Sequence, residues 1–95
     1  MDYLKNLDFS SDEINHLGGI LPRNVIEKLK LFPRVVKTNY QILKDTGIKN
    51  YKDIFVNHTH MFFKNPDKFK AIFAKYDPKD LIRCLEKNGA IIEKL

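Results

Sequence analysis

Proline is what most restricts this chain. A proline inside a helix removes a backbone donor and clashes with the preceding turn, so it sits at helix starts or in breaks. The four prolines come in two pairs, Pro22 with Pro33 and Pro66 with Pro78. Between them the apolar residues recur at helical spacing, as in Val25, Ile26, Leu29 and Phe32. No long stretch alternates apolar and polar, and no Asn-Gly turn links two apolar runs, so a β-sheet is not expected. The chain reads as all-α: short helices, repeatedly restarted.

Local signals place the helices. Ser10, with Glu13 three residues on, forms a capping box for a first helix carrying Ile14 and Leu17, and Gly18-Gly19 should stop it. Tyr3, Leu4 and Leu7 suit a short turn upstream. Pro22 fits the first turn of a second helix. Pro33 should end that helix, with Arg34-Val35-Val36 as a tight turn before a third from Thr38 to Thr46, stopped by Gly47. Asn50 suits the cap of a fourth helix that runs to His58 and turns Ile54 and Phe55 inward. Met61, Phe62 and Phe63 form an apolar knot. Asn65-Pro66 and Asp77-Pro78 each read as a cap followed by proline at the first helical position. Asn88-Gly89 ends the last helix, and Ile91, Ile92 and Leu95 close the chain.

These units repeat. Pro33, Thr59 and Gly89 mark equivalent turns, 26 and 30 residues apart, near the lower end of helical-repeat periods. The run Leu31-Phe32-Pro33-Arg34-Val35-Val36, the helix ending Leu43-Lys44-Asp45-Thr46-Gly47-Ile48, and the earlier junction Leu7-Asp8-Phe9-Ser10-Ser11-Asp12-Glu13-Ile14 resemble the helical repeats of the mitochondrial transcription termination factor family. The units are expected to form a short superhelical array of helix pairs with apolar Pro/Gly turns; the resemblance implies a curved superhelix of helix triplets that binds nucleic acid on a basic concave face. Thr59 and Gly89 stand where Pro33 has its proline. The chain holds two to three units, and residues 1–95 are read as one helical-repeat domain.

Charge divides the chain. Residues 1–20 carry Lys5 against four acids, −3, whereas residues 21–95 carry sixteen Lys/Arg against eight acids, +8. A basic body favours acidic partners, nucleic acid first. Lys28, Lys30, Arg34 and Lys37 cluster around Pro33, and Lys64, Lys68, Lys70 and Lys75 along the Pro66 helix. They are the candidate phosphate contacts; as charges alone they also suit a solvated helix face. Most aromatics sit at core spacing; Tyr51 and Tyr76, at helix ends, are the ones placed to stack on bases. The alternative is a protein-interaction module, or a domain docking on a larger partner, through an exposed apolar patch at Met61, Phe62, Phe63, Ile91, Ile92 and Leu95.

The remaining chemistry is thin. Cys84 is the only cysteine, so no internal disulfide forms, and it reads as a small residue at the core edge. His58 and His60 point about 200° apart on a helix and lack a third ligand, so no metal is expected. Asp12, Glu13, Asp67 and Asp80 suit helix starts. There is no phosphate loop and no Ser-His arrangement for a nucleophile. Neither an enzyme, a cofactor nor a small-molecule substrate is expected. No secretory leader or bilayer-spanning run is present, so a cytoplasmic protein without a membrane partner is expected.

Overall fold

The computed structural model describes residues 2–95. Every element in them is helical: a 3-10 turn Asp2–Leu7, α1 Ser11–Ile20, α2 Arg23–Leu31, α3 Pro33–Asp45, α4 Tyr51–Asn57, a second 3-10 turn Thr59–Phe63, α5 Pro66–Ala74, α6 Pro78–Lys87 and a third 3-10 turn Gly89–Lys94. The all-α class is as the sequence reads. No helix among the described residues is long and apolar enough to cross a membrane.

Helix starts follow side-chain chemistry. The Ser10 hydroxyl accepts from the Glu13 amide at 3.1 Å, while the Glu13 carboxylate accepts from the Ser10 amide at 3.0 Å, a reciprocal capping box. Asn65 and Asp77 accept from the amides of Asp67 and Lys79 ahead of their prolines, as expected.

Three expectations are corrected. Pro33 does not end in a turn; it is the first residue of α3, and Arg34-Val35-Val36 is helical. Phe32 is the hinge, closing α2 by donating to the Lys28 carbonyl and opening α3 by accepting from Val36. Gly18-Gly19 lies inside α1, which runs on until Leu21 donates to Leu17. Asn50 precedes α4, but its side chain does not cap it; the amide donates instead to the Leu85 carbonyl at 3.0 Å.

Thr59 and Gly89, which the sequence reads as equivalents of Pro33, are built differently from it. Thr59 is buried, and its hydroxyl donates to the Phe55 carbonyl at 2.6 Å, tying off α4 in a way proline could not. Gly89 lies so close to α4 that a Cβ there would stand 2.9 Å from Ile54 Cγ1. At Gly47, φ is +95°, the left-handed stop glycine tolerates.

One apolar core runs from Leu4 to Ile92. Its spine is a ladder of rings. Phe9 meets Tyr40 and Phe55, Tyr40 meets Phe55 edge-on at 5.3 Å, Phe55 meets Phe62 at 4.9 Å, and Phe62 leads through Phe69 to Phe73. Such offset pairs are favoured over stacked sandwiches. The radius of gyration, 12.9 Å, is near the ~12 Å of a packed chain this long. The helices close round this core as a compact globule.

Candidate functional site

All eight predicted cations are exposed, and none of them is in a salt bridge among the described residues. The structure gathers them unequally. Lys64, Lys68 and Lys75 line one shallow cleft of about 500 Å³ along α5, with Asn65, Ala71 and Ile72 between them. Lys68 and Lys75, seven residues apart, fall on one face of α5 and its C-cap, while Lys64 lies in the extended link before the helix. Lys28 lies outside that lining, its ammonium 5.9 Å from the centroid of Phe63, the residue before Lys64. Arg34 and Lys37 line a second cleft of about 320 Å³ with Tyr3, Pro33 and Thr38. Lys30 and Lys70 line neither; Lys70 follows Lys68 by two residues, about 200° round the helix.

A buried asparagine holds the α5 row in place. Asn39 of α3 is fully enclosed, and its amide donates to the carbonyls of Phe62 at 2.9 Å and Lys64 at 2.8 Å. One side chain thereby fixes the link that leads into α5. Tyr3 braces the second group: its hydroxyl donates to the Leu29 carbonyl at 2.6 Å, near the end of α2. Burial pushes that phenol up to about 12.

The lysines outside the two groups behave otherwise. Lys44 contacts the Asp8 carboxylate at 2.7 Å, and Lys52 contacts Glu13 at 2.7 Å and the Asp8 carbonyl at 2.8 Å. Hydrogen bonds from Lys44 and Lys52 hold the carboxyls of Asp8 and Glu13 below their ordinary range. The acidic N-terminal segment is thus clamped onto α3 and α4. Two of its four carboxylates are spent internally. Nothing in the sequence marks these pairs, whose partners lie 36 and 39 residues apart.

The apolar alternative is corrected in detail. Met61, Phe62 and Ile92 are core residues and offer no surface. Phe63 is half-buried beneath Lys28, while Ile91 and Leu95 join Tyr76, Leu81 and Cys84 along a cleft of about 290 Å³. Cys84 is exposed rather than at the core edge. Tyr51 packs edge-on against Tyr40 and hydrogen-bonds Asp8 at 3.3 Å, so of the two candidate stacking rings only Tyr76 stands exposed. The exposed apolar pair lies elsewhere, at Leu31 and Phe32. Leu31 falls off the stripe formed by Val25, Ile26 and Leu29, a signal present in the sequence. Phe32 was assigned to that stripe; its φ of −123° takes it out of helical phase.

Glu93 was also missed. Its carboxylate lies between His58 Nδ1, at 2.6 Å, and His60 Nε2, at 2.9 Å. Hydrogen bonds from His60 and then His58 hold the Glu93 carboxyl below the ordinary range. No metal-binding cluster of three or more such ligands occurs among the described residues. The trio instead latches the C-terminal 3-10 turn to the one after α4.

Comparison with family models, with curated proteins and with solved structures finds no match to this chain. The likeness to the termination-factor repeats is carried by its own residues alone.

Proposed function

We propose that this chain is a non-catalytic nucleic-acid-binding module that meets phosphates through the α5 row. The observation that carries the reading is that Lys64, Lys68 and Lys75 share one cleft and are in no salt bridge among the described residues. Lys68 and Lys75 are two turns apart, about 10 Å, which matches the axial rise of about three nucleotides. Arg34 and Lys37 supply a second contact. Superhelical stacking of the helix pairs belongs to this reading, as the geometry that would make the basic face concave.

Binding through phosphates releases counterions, so affinity must fall with salt, by about 0.9 log units per log unit of salt for each phosphate neutralised on duplex DNA. Fluorescence anisotropy with a labelled duplex, titrated across salt concentrations, measures that slope. Lys64→Gln with Lys68→Gln and Lys75→Gln should flatten it by about three phosphates' worth. Absent binding, or a slope the triple variant leaves unchanged, would remove the reading.

A protein partner is the second reading. The cleft of Tyr76, Leu81, Cys84, Ile91 and Leu95 favours it, since its walls are mainly apolar and it is flanked by Asp77 and Asp80. A basic, apolar peptide fits that lining.

A further inference from the structure

We propose that the α2–α3 corner is an anchor for the surface of an anionic lipid bilayer. Leu31 is 71% exposed and Phe32 48% exposed, and they stand side by side where α2 gives way to α3. Water-exposed large apolar side chains are ordinary when scattered singly. Here two adjoin at a corner whose flanks carry Lys28, Lys30, Arg34 and Lys37. None of these four is in a salt bridge among the described residues, and the sequence from residue 28 to residue 44 contains no Asp or Glu. Apolar tips ringed by cations are the composition that lies at an anionic membrane surface, the side chains in the acyl boundary and the charges at the headgroups. Lying on a bilayer needs no spanning segment.

The corner also offers a place for a headgroup phosphate. Arg34 and Lys37 line the 320 Å³ cleft that starts at Pro33, the residue after Phe32. Within it the Thr38 hydroxyl already donates to the Arg34 carbonyl at 2.9 Å, and the Tyr3 hydroxyl to Leu29. The donors left for an anion are therefore the guanidinium and the ammonium. The Tyr3 bond also ties the last turn of α2 to the N-terminal 3-10 turn.

Charge and shape select this occupant. A second copy of the chain would set the same four cations against each other. Nucleic acid suits the cations but leaves Leu31 unexplained, because an aliphatic side chain has no π-face to stack on a base. Acyl chains take both Leu31 and Phe32. Leu31 and Phe32 take no part in the α5 row, whereas Arg34 and Lys37 are cations that nucleic acid would also use, so the apolar pair is what separates the two readings.

The test is co-sedimentation of the whole chain with vesicles of phosphatidylcholine alone and of phosphatidylcholine mixed with phosphatidylserine. Binding is expected to the mixed vesicles only, falling as salt rises. Leu31→Ser with Phe32→Ser should weaken it about tenfold or more, with helical circular dichroism and duplex-DNA affinity unchanged. Arg34→Gln with Lys37→Gln should weaken vesicle binding while leaving the apolar tip intact, and this serves as the second variant if the first does not fold. Several results would overturn the proposal: no sedimentation with phosphatidylserine, equal binding to both vesicles, or full binding by either variant. So would a Leu31/Phe32 variant that loses DNA affinity but keeps vesicle binding, or one that merely dissociates an oligomer in light scattering.

Discussion

Asn39 shows how much of this fold hangs on single polar atoms. Its amide satisfies two carbonyls that α5 and its preceding turn cannot satisfy themselves. Orphaning a buried acceptor costs about 1–3 kcal/mol. Asn39→Ala should therefore lower stability by about 2–4 kcal/mol in urea denaturation. Asn39→Asp, of equal size, should lose at least as much, because a carboxylate cannot donate. If both variants unfold at the wild-type midpoint, the asparagine does not hold α5. The sequence around Asn39 carries no signal of this role. Its role depends on a chain segment 23 to 25 residues away, which no local pattern encodes.

At the scale of elements, legibility follows the range of the interactions. The starts of α1, α5 and α6 were readable because a cap and its amide lie two or three residues apart. Pro33 was misread because a proline that breaks a helix and one that begins the next look alike in sequence. Only the backbone at Phe32 decides between them. Gly18-Gly19 does not stop α1 because helix hydrogen bonding continues past it, the Leu21 amide donating to the Leu17 carbonyl. The C-terminal latch was invisible, as Glu93 lies 33 and 35 residues from its two histidines. It carries a prediction. The Glu93 carboxyl titrates lower in the folded chain than its ordinary 4.5. Its stabilising contribution is thus complete above that pH and drains away as pH falls through the folded value. Urea midpoints measured from pH 6 down to pH 3 should fall less steeply in Glu93→Gln than in wild type. Identical slopes would mean that the latch adds nothing.

Over the whole molecule, composition gave the class and the sense of the charge, and packing decided which charges are available. Half of the acidic segment is consumed by Lys44 and Lys52. The basic body therefore presents the cations of α2, the start of α3, and α5 without those carboxylates as competitors. Asp8 and Glu13, like Glu93, titrate low because of these hydrogen bonds. The same acid range that weakens the C-terminal latch must also loosen the N-terminal clamp. The exposed apolar pair was the largest miss. Leu31 and Phe32 sit in an otherwise core-forming run, and their exposure depends on where one helix is cut and the next begins.

The ring ladder has a consequence for how unfolding can be watched. Tyr40 is locked in its middle, its hydroxyl buried without a partner among the described residues, and burial raises its phenol well above the ordinary value. The chain has no tryptophan to obscure it. A proton that leaves more readily from the unfolded chain makes alkali a denaturant, so stability should fall as pH climbs past 10, the ordinary value for this group. Stopped-flow jumps to high pH should show a slow rise in tyrosinate absorbance at the rate of global unfolding, and Tyr40→Phe should shrink that phase to the share carried by Tyr3, whose phenol burial also raises. If the variant keeps the phase at full size, the ring ladder opens without the rest of the molecule; if the phase shrinks, the proton of one buried phenol reports the opening of the entire core.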